Sequence, residues 1–179
     1  MKVTRELSGF DATDGAILEL LQENCKQPLA AIGEKVGLSA PAVVDRIHKL
    51  EEAGVIRAYA AILDARKLGC DVAAFIGVST SHPDAIRGVE SAMAGVDEVL
   101  ECHHVTGAHT LMLKVKTRNT ESLERLIETV RSLDGVSRTE TMVVLSTHTE
   151  RSRIAVLADD GFPMRQRRLS GARGRRAAK

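Results

Sequence analysis

The run "LSAPAVVDRIHKLEEAGVIR" (38–57) holds the side chains best suited to touching a nucleic acid. Ser39 sits at a helix entry, where free N–H groups and the helix dipole favour phosphate. Ala40 and Ala42 are small enough for close approach and for contact with a thymine methyl. Arg46 carries a fork of donors for a bidentate contact with guanine or phosphate. Asp45 can accept from a cytosine amino group, and His48 shares the outward side. Lys49 and Arg57 suit phosphates. The alternative for Arg46 is an ion pair with a neighbouring carboxylate, which at an exposed position changes little either way. A base contact from Arg46 predicts that Arg46→Ala weakens binding by about 1–3 kcal/mol. The charge balance argues against a DNA-reading role: Arg46, Lys49 and Arg57 are offset by Asp45, Glu51 and Glu52, so the stretch is neutral.

A second polar group lies in "ECHHVTGAHT" (101–110), with His103, His104 and His109. Imidazole is a common metal ligand. Adjacent strand residues, however, point to opposite faces, and neither Cys nor carboxylate follows at ligand spacing. No metal site is expected, and a metal-responsive role is the weaker alternative. Ser, His and Asp residues are scattered without the spacing of a nucleophile and its base, so no catalytic residue and no enzyme is expected.

These side chains depend on the elements that carry them. "ATDGAILELLQEN" (12–24) has apolar residues at helical spacing, with Asp14 as candidate cap. "PLAAIGEKV" (28–36) predicts a short second helix that Pro28 can enter and Gly37 can end. Ser39 caps a third helix running to Ala53, with Val43, Ile47 and Leu50 as its buried stripe. Gly33, small where two helices approach, and Gly37 at the turn complete a helix-turn-helix pattern, filled by Ile32, Val36, Leu38, Val43 and Ile47. Such a motif lays its last helix in the major groove; the plain alternative is an αα corner in a core. "VIRAYAAIL" (55–63) then reads as a strand. Beyond it the periodicities give strand (72–80), helix (82–95), strand (96–105), strand (109–117), helix (120–133) and strand (136–147). The order βαβ, βαβ, with "MAGV" and "LDGV" 40 residues apart, predicts a ferredoxin-like antiparallel sheet with both helices on one face. The fold class is α+β. A sheet covered on one face only, in a small domain, predicts two-fold sheet-to-sheet dimerisation.

The 179-residue chain has a net charge of +1, which offers no global polyelectrolyte attraction to nucleic acid. Its distribution is uneven: residues 151–179 hold nine Lys/Arg against Asp159 and Asp160. This basic tail lacks apolar periodicity and reads as mostly disordered, with "IAVLADDG" as a piece able to dock. It could add phosphate contacts or simply solubilise the chain, and "RRLS" (167–170) offers a basophilic phosphorylation pattern at Ser170. Four aromatics are too few for a single-strand stacking platform. Cys25, Cys70 and Cys102 form no disulfide or zinc pattern. Without a signal peptide or membrane span, a cytoplasmic protein is expected.

"DGAILELLQEN" followed by "LAAIGEKVGLSAPAVVDRIHKLEEAGVIRAYAAILDARKLG" resembles the N-terminal half of the Lrp/AsnC (feast/famine) regulators. "ECHHVTGAHTLMLKV" and "ETMVVLSTHTER" resemble the family's second, effector-binding half. The resemblance covers about residues 10–150. It implies a helix-turn-helix domain at 1–57, a strand hinge at 58–70, a RAM-type αβ-sandwich for effector binding and oligomerisation at 71–150, and the tail outside the pattern. It further implies binding to double-stranded DNA, dimers assembling into tetramers or octamers, no cofactor, and an amino-acid effector at subunit contacts. The stretch usually reading "VTG..D" in the family is "VTGAHT" here, so Thr110 stands where an acid would meet an effector's ammonium. His103, Thr106, Gly107, Ala108, His109 and Thr110 are the effector candidates, with Thr139 and Thr141 as hydroxyls for the carboxylate. A regulatory module acting through a protein partner is the alternative reading.

Overall fold

A computed structural model describes residues 10–156. The expectations for the tail beyond Val156, including Ser170, lie outside the described residues. The chain divides into two units, one of residues up to 60 together with 151–156, the other of residues 61–150.

The first unit is built on three helices, α1 (Ala12–Glu23), α2 (Leu29–Val36) and α3 (Ala40–Glu52). Ile17, Ile32, Val43 and Ile47 form their shared core, with Leu20, Leu21, Val36, Leu38 and Ile56 packed around it. Each helix therefore lends one apolar stripe, as the 3.6-residue period requires. The corner between α2 and α3 is tight. A Cβ on Gly33 would strike the carbonyl oxygen of Leu38, so only glycine allows the approach. Gly37 then ends α2 in the left-handed region at φ 71°.

The cap of α1 differs from the expectation. Asp11, not Asp14, is the N-cap, and the two form a reciprocal box: the Asp14 N–H donates to Asp11 Oδ1 (2.8 Å) and the Asp11 N–H to Asp14 Oδ2 (3.1 Å). Asp14 is 1% exposed. Its second oxygen accepts from Arg46 Nη1 of α3 at 2.8 Å, and the same nitrogen reaches both oxygens of Asp11 (2.9 and 2.8 Å). One guanidinium thus ties α3 to the first turn of α1.

The expected strand at 55–63 is not formed. Residues 57–64 run without helix or ladder. A strand needs a hydrogen-bonding neighbour, and nothing within the described chain supplies one. Tyr59 still anchors the start of this segment, donating from its hydroxyl to Glu51 at 2.8 Å. Burial, then the Glu51 carboxylate, push that phenol up to about 12.

The second unit contains β1 (Val72–Thr80), α4 (Ala85–Met93), β2 (Val99–His104), β3 (Leu111–Thr117), α5 (Thr120–Arg131) and β4 (Val136–Val143). The sheet order is β2-β3-β1-β4, antiparallel throughout. This is the expected α+β, split-βαβ architecture, with shorter elements: α4 begins after the Ser81–Asp84 turn rather than at His82, and β4 ends before Val144. Ala74, Ile76 and Val78 of β1 and Leu111, Leu113 and Val115 of β3 meet Val89 and Met93 of α4 and Leu123, Leu126 and Val130 of α5 in one core. The alternation is strict in β3, where Met112, Lys114 and Lys116 take the opposite face.

The Arg46 lock generates two predictions. Replacing Arg46 by Ala leaves Asp14 buried with one donor fewer, which should cost about 2–3 kcal/mol of stability in the absence of any DNA. Urea unfolding followed by helical circular dichroism measures it, and an unchanged midpoint would contradict the lock. The Asp14 N–H, then Arg46, hold the Asp11 carboxyl below its ordinary value of 3.8. The unfolded chain therefore binds a proton first, so this stabilisation is present above pH 3.8 and disappears as pH falls through the lower folded value. The stability gap between the wild type and Asp11→Asn, which keeps the cap but not the charge, should be present at neutral pH and close in acid. A gap that persists in acid would refute the assignment.

Candidate nucleic-acid interface and effector site

Helix α3 turns Val43, Ile47 and Leu50 into the core and leaves Ser39, Pro41, Asp45, His48 and Lys49 exposed, with Ala40, Ala42 and Val44 half-buried between them. Ser39 is the cap; its Oγ accepts from the Ala42 N–H at 3.4 Å. The remaining N–H groups of the first turn are thus presented beside small side chains, the surface that close approach to a phosphate backbone needs.

The cationic candidates fare differently. Arg46 is not a free reading residue: it is committed to Asp11 and Asp14, and its guanidinium is held further in the charged form by hydrogen bonds to Asp14 and then Asp11. Of the two readings weighed for Arg46, the DNA-free structure shows the ion pair. The signal was present in the sequence as the D-x-x-D capping box, but its link to a residue 32 positions later was not. Lys49 lies 5.6 Å from the centroid of the Phe10 ring, a cation–π contact. His48 Nδ1 lies 3.4 Å from Glu51. Arg57 is exposed and makes no ion pair among the described residues. Of the residues read as DNA contacts, Ser39, Asp45, His48 and Lys49 share the exposed side of α3, and Arg57 lies beyond its end.

In the second unit the open face of the sheet, opposite the helices, carries Glu101 and His103 of β2, Met112 and Lys114 of β3, Phe75 and Gly77 of β1, and Glu140 and Met142 of β4, which face one another in register. Lys114 bridges Glu101 and Glu150, each at 3.0 Å. His103 also reaches Glu101 at 3.0 Å. His103, followed by Lys114, lowers the Glu101 carboxyl, and Lys114 first lowers Glu150.

The hairpin "VTGAHT" joins β2 to β3, with Gly107 at φ 120°. Thr106, Gly107 and Ala108 are exposed at its tip. His109 folds back onto the sheet over Gly77. A Cβ on Gly77 would lie 2.5 Å from the imidazole Cδ2, so the glycine makes the seat. His109 is only 12% exposed; its Nε2 lies 3.5 Å from Glu140, and its buried Nδ1 has no partner among the described residues. Thr110 Oγ1 accepts from the Thr80 N–H at 3.3 Å and sits at the same distance from the Thr80 hydroxyl, so the fold already uses it.

Thr139 and Thr141 do not join this group. They pair with Val78 and Ile76, whose side chains are in the core, and therefore point to the helix-covered face. His104, opposite Leu111, does the same, whereas His103 points to the open face. The effector candidates from the sequence are split between two faces of the sheet. The residue they omitted is Glu140, between Thr139 and Thr141, whose position opposite Gly77 puts a carboxylate beside His109. Strand parity singles it out once Thr139 is known to face inward. Among the described residues no group of three or more His, Cys, Asp or Glu could hold a metal ion, and no helix is long and apolar enough to cross a membrane.

Both units have known relatives. The AsnC-type helix-turn-helix domain family matches residues 10–51, and the Lrp/AsnC ligand binding domain family matches residues 73–154. The chain is 35% identical over 147 residues to the HTH-type transcriptional regulator FL11 of Pyrococcus horikoshii, covering 82% of this chain and 97% of that protein. It is 30% identical over 138 residues to the regulatory protein AsnC of Haemophilus influenzae, covering 76% and 92%. Among solved structures, E. coli AsnC superimposes with a TM-score of 0.75 at 28% identity, over 80% of this chain and 97% of that one. The complex of a Neisseria meningitidis transcriptional regulator with L-Met superimposes with a TM-score of 0.77 at 29% identity, over 81% and 96%. A helix-turn-helix unit and a βαββαβ unit, each matched to its own family in the same order, establish that this chain belongs to the Lrp/AsnC family of transcriptional regulators, non-enzymatic proteins that bind DNA.

Proposed function

We propose that the protein is a cytoplasmic, sequence-specific regulator of amino-acid metabolism, binding duplex DNA as a homo-oligomer and tuned by an amino acid at its subunit contacts. The observation that carries this reading is the outward face of α3, where Ser39, Asp45, His48 and Lys49 stand exposed on a helix whose other face the core holds. Two features support self-association. Ile62 and Leu63 are 84% and 66% exposed in the segment that lacks a ladder partner, and a second chain would complete that ladder. Phe75 and Met142, paired across the open sheet face, are also exposed apolar side chains that a second copy would cover. A repeated assembly also compensates for a weakly cationic reading helix, because several half-sites engage together.

The effector assignment rests on His109 and Glu140, with the tip residues Thr106, Gly107 and Ala108 beside them. Glu140 takes the part of the acid missing at Thr110: it would meet the ammonium of an amino acid, while His109 fixes the carboxylate side of the seat. The L-Met complex of the Neisseria relative supports an amino acid as the ligand class.

Two measurements test the reading. Duplexes selected by the full chain from a random pool should converge on one sequence, and pools without enrichment would overturn it. A thermal-shift screen of the standard amino acids should find at least one that stabilises the protein, by about 2.7 kcal/mol at a hundredfold excess over Kd. Glu140→Gln should abolish that stabilisation and leave the apo midpoint in place. Equal shifts for the wild type and Glu140→Gln would exclude Glu140 as the ammonium partner.

A further inference from the structure

Helix α1 breaks a local rule at its C-terminal end. Glu23 is its last residue, Glu19 stands one turn earlier, and the last turn holds no basic side chain. Like charges at i and i+4 repel, and a carboxylate at a helix C-terminus opposes the helix dipole. The wider unit has the same bias: residues 10–60 contain eight Asp/Glu against five Lys/Arg. The stretch that carries the DNA-reading helix is thus acidic, although duplex DNA is a polyanion. Asp11 and Asp14 are answered by Arg46 from within the three helices. The cation that answers Glu19 and Glu23 is Arg153, from the far end of the described chain.

Residues 151–156 lie along α1 as a strap, antiparallel to the helix. Arg153 pairs with Glu19 and reaches Glu23 at 3.4 Å. Gln22 holds the backbone of Ile154 as a ladder partner would, donating from Nε2 to its carbonyl (3.0 Å) and accepting from its N–H at Oε1 (2.9 Å). Glu19 also accepts from the Val156 N–H at 3.2 Å. Val156 closes the run over Gly15, where an added Cβ would be 3.6 Å from its Cγ1. The backbone is gripped at two residues, so Arg153 is placed at the acidic end of α1 by more than its own charge. The strap brings Arg151 and Arg153 and no acid. We propose that residues 151–156 are a working part of the DNA-binding unit, in which Arg153 sets affinity for DNA by cancelling Glu19 and Glu23, whose charge would otherwise repel phosphates. Arg153 acts through these carboxylates and is a positioning residue, not a DNA contact. The inference rests on the DNA-binding reading above and adds to it residues outside the matched helix-turn-helix domain.

The test uses the full chain and three variants of it: Arg153→Gln, Arg153→Lys, and Arg153→Gln combined with Glu19→Gln. The combination restores the charge balance, and the amide oxygen it introduces at position 19 can still accept from the Val156 N–H. Thermal midpoints show that each variant folds. Anisotropy titrations on a mixed-sequence duplex run from about 0.01 M to about 0.15 M salt, between which the reach of a charge falls from roughly 30 Å to roughly 8 Å. Arg153→Gln is expected to weaken low-salt binding about three- to fivefold, the scale of one exposed ion pair, with a much smaller loss at the higher salt. Arg153→Lys is expected to bind like the wild type, and the combined variant to recover wild-type affinity. Wild-type affinity for Arg153→Gln at low salt overturns the inference. A combined variant as weak as Arg153→Gln shows a purely structural strap and overturns it too. A fall of about 0.9 in the slope of log K against log salt that the combined variant does not recover marks a direct phosphate contact and overturns the cancelling role. A wild-type chain that binds no duplex at either salt removes the DNA-binding reading itself, and this inference with it.

Discussion

A carboxylate buried among apolar helices is stable only if donors reach it, and Asp14 has two: the Asp11 N–H and the Arg46 guanidinium. That requirement sets much of the first unit. It ties the first turn of α1 to the middle of α3, adding a polar tie to the apolar one made by Ile17, Val43 and Ile47. It also commits the one arginine of α3, still partly exposed, to carboxylates of α1 and its cap. Together with the close approach at Gly33, it fixes the angle at which Ser39, Asp45, His48 and Lys49 are presented. One guanidinium thus both anchors α3 to α1 and occupies the single arginine of α3.

The second unit solves a different problem. Four strands and two helices seal one side of a sheet and leave the other with a mixture of charge and exposed apolar area. Lys114 between two glutamates, and His109 over Gly77 beside Glu140, make that side too polar to be a simple hydrophobic interface. Phe75 and Met142 make it too apolar to be simply solvated. Charged, imidazole and apolar groups therefore stand side by side on one open sheet face.

Many elements are legible in the order of side chains alone. Ile17, Val43, Ile47 and Leu50 at helical spacing, and Leu111, Leu113 and Val115 at strand spacing, are all buried as their periods require. Gly33 and Gly37 mark the corner because only glycine satisfies a close backbone approach and a positive φ. Apart from the α1 cap, which moved three residues from Asp14 to Asp11, the main readings that changed depended on a partner distant along the chain. Residues 55–63 have strand composition, but a strand exists only where a ladder neighbour exists. Thr139 and Thr141 alternate correctly, but alternation tells which residues share a face and not which face the helices cover.

Hydrophobic period, capping and turn geometry act over a few residues, so local pattern can be read from neighbours in the chain. The sequence by itself therefore specified the helices, the sheet strands, the corner and the family. Pairing over long separations is a matter of geometry. The Arg46–Asp14 contact, the seat of His109 at Glu140 and the return of residues 151–156 to α1 each join side chains more than 30 residues apart. Their placement follows from how the helices and strands pack, and no spacing in the sequence encodes it.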